Sequence, residues 1–196
     1  MGGPRAVLAS SNAHKARELE VLLPGWTIEI LDADDYPPED GETYYDNALI
    51  KAAFGRERAP ADRWIIGEDS GLEVAALGGR PGIHSARYAP EGAPAIAKLL
   101  GELGAETGRS ARFVSELVAI SPLRTILRGS GMLHGRIANE SSGAAGFGYD
   151  PVFVPEETDD SGDRRSAAQL LPSEKDSLSH RGRALSLIMP ELAAAR

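Results

Sequence analysis

The stretch Trp64-Ile65-Ile66-Gly67-Glu68-Asp69-Ser70-Gly71-Leu72 is the part of the sequence that decides the fold. Its opening apolar run is short, which is typical of a buried strand. Two adjacent acidic residues follow directly, and mostly apolar sequence resumes from Leu72 to Leu77. The stretch therefore predicts a buried strand that carries charged side chains at its end.

Patterns typical of strands and helices alternate on both sides of this stretch. Further strand patterns occur at Ala6–Ser10, Thr27–Leu31, Phe113–Ile120 and Thr125–Leu133. The last two predict an antiparallel hairpin. Helices are predicted to begin at Asn12, Thr43, Pro94 and Ser179. Strands that alternate with helices, together with one hairpin, predict an α/β fold with a mixed sheet.

Length and composition limit the classes of protein that this chain can represent. Its 196 residues predict one domain over residues 1–196. The absence of cysteine excludes disulfides, zinc–thiolate sites and a thiol nucleophile. A net charge of −8 argues against a nucleic-acid polymer as partner. Because there is no signal-peptide pattern and no apolar stretch near the roughly 18 residues of a membrane span, we expect a cytoplasmic protein without a membrane partner.

The segment Ser10–Lys15 lies at the predicted junction of the first strand and the first helix. In α/β proteins the carboxyl ends of strands face the ligand crevice, and a helix N-terminus there offers free N–H groups to a phosphate. Small hydroxyl residues leave room for an anion, and Lys15 adds a positive charge on the first turn. The alternative is an ordinary helix cap at Asn12 beside a surface lysine.

Glu68 and Asp69 are candidate ligands of a divalent cation. Two like charges buried side by side are unfavourable unless a cation neutralises them, and carboxylates are typical ligands of magnesium. The alternative is a polar turn in which both acids face water. Asp46 is a further candidate, but its spacing from Thr43 is that of a capping box, and it also suits the dipole of its own helix.

Cations gather where the last helix is predicted to begin, at Lys175 and Ser179-His180-Arg181. Cations at a helix N-terminus are electrostatically unfavourable, because the helix dipole is positive at that end. Their presence there is explained equally well by a bound anion and by a structural role. The predicted apolar face of this helix consists of Leu185, Leu187, Ile188 and Leu192. An acidic group that binds magnesium and a basic group that binds phosphates together indicate a metal–nucleotide complex.

Six motifs, taken in order, resemble the inosine triphosphate pyrophosphatase family over about Val7 to Leu187. They are Ser10–Lys15, Asp46–Ala48, Asp69–Leu72, Pro81–Tyr88, Gly146–Pro151 and Ser179–Arg181. The resemblance implies an elongated α/β fold of two lobes around a long mixed sheet with flanking helices. It implies an active site in the cleft between the lobes, and a homodimer. It also implies magnesium-dependent hydrolysis of inosine, deoxyinosine and xanthosine triphosphates (ITP, dITP and XTP) to the monophosphate and pyrophosphate, which removes these nucleotides from the cellular pool.

The resemblance further implies roles for individual residues. Asp69 would be the general base and Lys15 a second catalytic residue, and the expected metal ligands are Asp46, Glu68 and Asp69. The expected substrate-binding residues are Ser10, Ser11, Asn12, Ala13, His14, Lys15, Ser70, Phe147, Gly148, Tyr149, Asp150, Lys175, His180 and Arg181. Within this set, Phe147 to Asp150 would lie against the purine, and His180 with Arg181 would donate to its carbonyl at position 6.

The sequence departs from the family pattern at several positions. Ser11 replaces a glycine, and Asp46 and Glu68 stand where the family commonly has Glu and Asp. We therefore expect the two exchanges to compensate at one metal site. Gly143–Pro155 is predicted to be a loop, and Glu156–Arg165 to be a polar, mobile surface insertion.

Two alternative functions remain open at this point. Leu8–Ser11 also suits a related family that hydrolyses pyrimidine or methylated nucleotides, although Asp69–Leu72 and Ser179–Arg181 favour the first family. A nucleotide-binding module without catalysis is the alternative from a different class. Such a module would bind inosine triphosphate and release no pyrophosphate.

Overall fold

A computed structural model of the chain describes residues 3–160 and 162–194. Over these residues the fold is α/β. The strands are β1 (Arg5–Leu8), β2 (Thr27–Ile30), β3 (Trp64–Val74), β4 (Ser110–Ile120), β5 (Ile126–Ile137) and β6 (Phe153–Pro155). The helices are α1 (Ala13–Leu22), α2 (Tyr44–Arg58), α3 (Ala93–Leu103), α4 (Glu156–Asp160), α5 (Pro172–Leu178), α6 (His180–Ser186) and α7 (Met189–Ala194). Within the described ranges no helix combines the length and apolar character needed to cross a bilayer.

The sheet is mixed, which confirms the predicted fold class. Its strand order is β2-β1-β3-β4-β5-β6. β1 pairs in parallel with β2 and β3, whereas β5 pairs antiparallel with β6. Leu8 of β1 is opposite Ile66 of β3, so the segment Ser10–Lys15 follows β1 at the edge of the sheet where β3 reaches Glu68. The parallel pairing thus brings two of the predicted motifs to one place.

The last predicted helix differs from the expectation. It is divided into α6 and α7, and Leu187, expected on the apolar face, is 61% exposed. Pro190 has no N–H to continue a helical ladder, which favours a break close by. Ser179 lies between the end of α5 and the start of α6 at His180, so the start of the final helix was predicted correctly. α5 itself carries no pattern that predicted it.

Within residues 143–160 and 162–165 the structure contains elements that the sequence did not indicate. Phe153–Pro155, expected within a loop, forms β6 and pairs with β5. The segment Glu156–Arg165, expected to be a mobile insertion, begins with α4, and its residues Asp159 and Arg165 form ion pairs. Its mobility stays a prediction. Arg136 of β5 donates to both oxygens of Asp159 over 2.8 and 3.0 Å. These paired charges explain why a strongly polar segment folds against the sheet.

The chain divides into two compact units. The first contains residues 3–69, 115–131 and 180–194, and the second contains residues 70–114, 132–160 and 162–179. The prediction that residues 1–196 form one functional domain stays a prediction. Most residues predicted to hold cations and phosphates belong to the first unit, while the predicted purine loop belongs to the second.

In the first unit, buried side chains pack on both faces of β1 and β3. Ala6, Leu8 and Ile66 belong to one apolar cluster with residues of α1 and α6. Val7, Ala9 and Ile65 belong to another cluster with Ala48 and Ala52 of α2. Successive side chains of a strand point to opposite faces, so even-numbered residues of β3 face α1 and α6, and odd-numbered residues face α2.

Two glycines allow helices to approach the sheet closely. A Cβ atom added to Gly67 of β3 would overlap the carbonyl oxygen of Ala48 in α2. A Cβ atom added to Gly131 of β5 would overlap the carbonyl oxygen of His180 at the start of α6. Any larger residue would push these helices away. Glycine at both positions therefore sets the distance from which α2 and α6 present their polar side chains.

In the second unit, one apolar cluster joins the sheet to α3 and to the segment before β6. It includes Leu72 of β3, Leu99 of α3 and Phe153 of β6, each of which is fully buried. The rings of Phe113 and Phe153 lie 4.4 Å apart between centroids. Tyr149 also packs in this cluster.

Candidate active site

Glu68 and Asp69 are neighbours in β3, and the alternation of the strand turns their side chains to opposite faces of the sheet. Lys15 of α1 lies 2.6 Å from Oε2 of Glu68, and Lys51 of α2 lies 2.8 Å from Oδ1 of Asp69. Both acids are buried. We expected that burial of this pair would require a bound cation. Instead, the strand separates the two charges and each is paired with its own lysine.

Glu68 is fully buried among polar side chains. Ser115 Oγ donates to its Oε1 over 2.9 Å, and Arg181 Nη2 donates to the same oxygen over 3.1 Å. Arg181 also pairs with Glu18 of α1. Burial by itself would raise the pKa of Glu68, but the charges of Arg181 and Lys15 hold that pKa well below its usual range. Glu68 is therefore an ionised carboxylate in the folded protein.

Asp69 contacts two side chains from successive turns of α2. Asn47 Nδ2 donates to its Oδ2 over 3.2 Å, and Lys51 Nζ donates to its Oδ1 over 2.8 Å. Lys51 also lies 2.5 Å from Oε1 of Glu39. Burial raises the pKa of Asp69 above its usual value, and the charge of Lys51 opposes that rise. A carboxylate with a raised pKa beside a cation is suited to accept a proton.

The N-terminus of α1 combines both alternatives that the sequence left open. Asn12 caps the helix, since its side chain accepts from the N–H groups of His14 over 2.9 Å and of Lys15 over 3.3 Å. These two N–H groups are therefore engaged by the protein itself. Lys15, however, is no surface residue, because its side chain is only 13% exposed and its ammonium faces Glu68.

The other residues of the Ser10–Lys15 segment support the turn or lie at the surface. Ser10 Oγ accepts from the N–H of Asn12 over 3.2 Å. Ser11, Ala13 and His14 are exposed. They are accessible to a ligand, and their contact with phosphate stays a prediction.

Asp46 has the capping role that the sequence suggested as one of two alternatives. Its Oδ2 accepts from the N–H of Thr43 over 3.0 Å and from the hydroxyl of Thr43 over 2.7 Å. The hydroxyl of Thr43 in turn accepts from the N–H of Asp46, which completes a capping box for α2. Asp46 and Glu68 contact different partners. Metal binding by Asp46, and its compensation with Glu68, stay predictions.

His180 and Arg181 begin α6 in different surroundings. His180 is half-buried, whereas Arg181 is 1% exposed and directs its guanidinium at Glu18 and Glu68. Burial is expected to lower the pKa of Arg181, but these two carboxylates raise it above its usual value. This position favours a role in holding Glu68. The predicted contact of Arg181 with a purine stays a prediction.

In the second unit, Asp150 holds together two residues of the predicted purine loop. Its Oδ2 accepts from Lys175 Nζ over 2.7 Å and from the N–H of Phe147 over 2.8 Å. The ammonium of Lys175 lies 5.0 Å from the centre of the Phe147 ring. Phe147 is half-buried, while Tyr149 is 6% exposed and packs in the core. Phe147 and Lys175 are thus better placed than Tyr149 to contact a ligand.

Two further predicted site residues of the second unit are Gly148 and Ser70. Gly148 adopts a φ of 60°, in the left-handed region that favours glycine, and so allows the loop to turn between Phe147 and Tyr149. Ser70 follows Asp69 in β3 and is half-buried. Phosphate binding by Ser70 stays a prediction.

Four residues around the two acids were not identified from the sequence: Glu18, Glu39, Lys51 and Ser115. Lys51 follows Asn47 by four residues, and this spacing places both on one face of a helix, so Lys51 could have been found. Glu39 stands in an acidic loop whose members look alike. Ser115 meets Glu68 because β4 lies beside β3, which only the sheet order reveals.

The chemistry of this group of side chains fits a divalent cation. Within residues 3–160 and 162–194, no three His, Asp or Glu side chains are arranged to hold a metal ion. Carboxylates are nevertheless the ligand type that Mg²⁺ takes. Glu39 and Asp69 share Lys51 on one face of β3, whereas Glu68 pairs with Lys15 on the other face. We call the following residues the acid–lysine cluster: Lys15, Glu18, Glu39, Lys51, Glu68, Asp69 and Arg181. Its four carboxylates exceed its three cations, so its net charge is negative.

The fold and the acid–lysine cluster define a class: a mixed α/β protein with a candidate cation and phosphate site beside the carboxyl end of β1 and in the middle of β3. A sequence profile of the Ham1 family matches residues 6–191, and the chain belongs to that family. This confirms the resemblance that the six motifs indicated.

Individual relatives are similar to the chain over nearly their whole length. A dITP/XTP pyrophosphatase of Nostoc sp. is 39% identical, over 96% of this chain and 94% of the relative. A dITP/XTP pyrophosphatase of Mycobacterium bovis is 43% identical, over 96% of this chain and 95% of the relative. The structure of the Ham1 protein of Staphylococcus aureus superposes with a TM-score of 0.81 at 34% identity, covering 98% of this chain and 100% of that protein.

Proposed function

We propose that this chain is a cytoplasmic, magnesium-dependent nucleoside-triphosphate pyrophosphatase that acts on the non-standard purine nucleotides ITP, dITP and XTP. The observation that carries the proposal is the pairing of two lysines with two buried acids, Lys15 with Glu68 and Lys51 with Asp69. A metal–triphosphate complex matches both halves of this arrangement, since carboxylates bind the metal and ammonium groups bind phosphates. The names of the relatives support the choice of substrates.

Hydrolysis between the α- and β-phosphates requires a base for the attacking water and positive charge for the departing pyrophosphate. Asp69 would accept a proton from the water, whose oxygen attacks the α-phosphorus while the bond to pyrophosphate breaks. Lys15 and Lys51 would stabilise the charge on the phosphate oxygens. Glu39 and Asp69, which both pair with Lys51, would hold Mg²⁺ on one face of β3, and Glu68 and Asp46 are the further ligands that the family resemblance implies. The bound ion supplies Lewis-acid stabilisation of phosphate oxygens.

Selection of the base follows from the group at position 6 of the purine. Hypoxanthine and xanthine carry a carbonyl acceptor there, and adenine carries an amino donor. A hydrogen-bond donor of the protein pairs with the carbonyl of hypoxanthine or xanthine. The amino group of adenine leaves the same donor without an acceptor, which discriminates against adenine. We assign this donor to His180, because Arg181 faces Glu18 and Glu68. Phe147 and Lys175 keep the roles that the family resemblance implies.

The test is a hydrolysis assay with purified protein, MgCl₂ and separate detection of pyrophosphate and orthophosphate. ITP, dITP and XTP should yield pyrophosphate, and ATP and GTP should react much more slowly. Orthophosphate as the first product would contradict cleavage between the α- and β-phosphates. A preference for pyrimidine nucleotides would favour the related family, and binding without turnover would indicate a binding module.

The proposal includes a homodimer that has no nucleic-acid or membrane partner. The net charge of −8 supports the absence of a polynucleotide partner. Light scattering should give twice the chain mass of 20.7 kDa. A mass equal to one chain at micromolar concentration would contradict the dimer.

A further inference from the structure

Asn47 of α2 is fully buried and connects two parts of the first unit. Its Nδ2 donates to Oδ2 of Asp69 over 3.2 Å, and its Oδ1 accepts from the backbone N–H of Gly41 over 2.9 Å. Gly41 belongs to the segment between β2 and α2. One side chain thus joins the proposed general base on β3 to the segment that precedes α2.

The orientation of the Asn47 amide is determined by these two contacts. A backbone N–H is only a donor, so the atom that faces Gly41 must be the amide oxygen. The NH₂ group is then directed at Asp69, whose carboxylate is only an acceptor when it is ionised. The opposite orientation would place two donors together at Gly41 and two acceptors together at Asp69. Asn47 is therefore a donor to Asp69 in a fixed position.

Gly41 makes this arrangement possible because it has no side chain. A Cβ atom added to Gly41 would lie 2.7 Å from Oδ1 of Asn47, 2.9 Å from the backbone nitrogen of Asn47 and 2.6 Å from Cβ of Asp46. A larger residue would therefore displace the amide or the segment. Glycine at this position lets the backbone approach closely enough to hold the Asn47 amide.

The two oxygens of the Asp69 carboxylate have different donors. Oδ1 pairs with the ammonium of Lys51 at 2.8 Å, whereas Oδ2 accepts from the neutral amide of Asn47 at 3.2 Å. A charged donor binds a carboxylate oxygen more strongly than a neutral donor, and a proton on Oδ1 would meet the ammonium directly. Oδ2, with one neutral donor, retains a second lone pair. Oδ2 is therefore the oxygen that is better placed to accept a proton.

We propose that Asn47 is a positioning residue, which holds the Asp69 carboxylate so that Oδ2 accepts the proton of the attacking water. The inference rests on the proposed function, in which Asp69 is the general base. Water gives this proton to Oδ2 as its oxygen forms the bond to the α-phosphorus and the bond to pyrophosphate breaks. Asn47 acts in this step through Asp69, and not by contact with the nucleotide.

A double-mutant cycle with ITP as substrate tests this role. Asn47→Ala and Asn47→Ser both remove the amide that donates to Asp69. Each should lower kcat about 10- to 100-fold, the scale expected when a reacting group is misplaced, while KM for ITP changes less than about twofold. In the Asp69→Asn background, the same substitutions should have almost no further effect on kcat, because the base through which Asn47 acts is absent.

A purely structural role of Asn47 would lower kcat by the same factor whether Asp69 is present or replaced. Such additive effects, or an unchanged kcat in both Asn47 variants, would overturn the assignment. Arg56→Met is the matched control, because Arg56 is a buried residue of the same helix that supports the fold through three backbone carbonyl groups. This control should retain the kcat of the unchanged protein at a temperature where it is folded.

The same measurements distinguish failure of this inference from failure of the proposed function. If the unchanged protein releases no pyrophosphate from ITP, the proposed function is wrong and the role of Asn47 falls with it. If Asp69→Asn retains its rate, the assigned base is wrong, and the role of Asn47 is wrong for the same reason. If Asp69→Asn loses turnover while both Asn47 variants keep it, the base stands and only the role of Asn47 is wrong.

Discussion

The ammonium of Lys51 lies 2.8 Å from Oδ1 of Asp69, and both side chains are buried in the first unit. The same ammonium lies 2.5 Å from Oε1 of Glu39, so one lysine pairs with two carboxylates. Burial would lower the pKa of Lys51, but Asp69 and Glu39 raise it above its usual value. These pairs keep Lys51 charged and favour the ionised form of Asp69, although water has little access to either.

Replacement of Lys51 by methionine should lower kcat/KM for ITP about 100-fold, because a cation that stabilises phosphate charge is lost. Loss of a neighbouring positive charge also raises the pKa of a carboxylate. The acid limb of the pH–rate profile should therefore move to higher pH. Lys98→Met, a change at an exposed lysine of the second unit, is the control and should retain the original profile. An unshifted acid limb in Lys51→Met would show that Lys51 does not act on the base.

Asp69→Asn should keep the fold and lose most of the turnover. The amide has almost the same volume as the carboxylate, and Lys51 retains its ion pair with Glu39. Removal of a general base lowers rates by about 10²- to 10⁴-fold, and we expect kcat to fall within this range. Steady-state kinetics with ITP and thermal unfolding of the same preparation check both parts. A rate near that of the unchanged protein would remove Asp69 from its role.

The outcome for β3 shows how far local sequence determines this site. The apolar run before Glu68 and Asp69 correctly predicts a buried strand, but the strand was expected to end at these acids and instead continues to Val74. Because both acids lie within the strand, its two-residue period places them on opposite faces. Their partners depend on distant segments. Lys51 reaches Asp69 because Gly67 lets α2 approach, and no local pattern carries that information.

Short elements were the least predictable part of the fold. β1 and α1 have an apolar pattern and a clear end signal, and both were predicted. β6 has only three residues, Phe153–Pro155, which is too short for a period to be recognised. It forms because Gly135, Arg136 and Ile137 of β5 lie opposite it. Its existence is a consequence of tertiary pairing.

Arg181→Met should lower the free energy of unfolding by about 3–5 kcal/mol, since it leaves the buried Glu68 and the half-buried Glu18 without their shared partner. Chemical denaturation measures this change.

His180→Ala should alter stability little and reduce the preference for ITP over ATP about tenfold, within the range for loss of a base contact. If Arg181→Met instead loses the preference for ITP at unchanged stability, Arg181 is the base-reading residue and the assignment to His180 is wrong.

Arg56 is expected to stabilise the fold without a role in catalysis. It lies near the end of α2, and its guanidinium donates to the carbonyl groups of Arg63, Ala59 and Pro60 over 2.6, 3.1 and 2.6 Å. Arg56→Met should lower the free energy of unfolding by about 3 kcal/mol, because three part-buried hydrogen bonds from a charged donor are lost. Urea denaturation measures the loss.

Arg58→Met is the matched control for Arg56, since Arg58 lies on the same helix and pairs with exposed Asp35 at 2.8 Å. An exposed ion pair of this kind contributes less than about 1 kcal/mol. Both variants should retain the kcat of the unchanged protein under conditions where they are folded. Equal losses of stability in the two variants would contradict the structural role of Arg56.

Tyr149 provides a test of the second unit through the pH dependence of stability. Burial raises the pKa of Tyr149 from its ordinary value of 10.0 to about 12. Between these values the phenol is ionised in the unfolded chain and still protonated in the folded chain. The folded state then binds more protons, so this contribution to stability is complete below pH 10 and declines as pH rises towards 12. The decline should amount to about 3 kcal/mol.

Tyr149→Phe removes this titration. Urea denaturation from neutral pH upwards should therefore show the stability of the variant, relative to the unchanged protein, rising between pH 10 and pH 12. Other titrating groups are common to both proteins and cancel in the difference. A difference that stays constant with pH would mean that the phenol is open to water. It would then be accessible to a ligand, as the family resemblance implies for the Phe147–Asp150 loop.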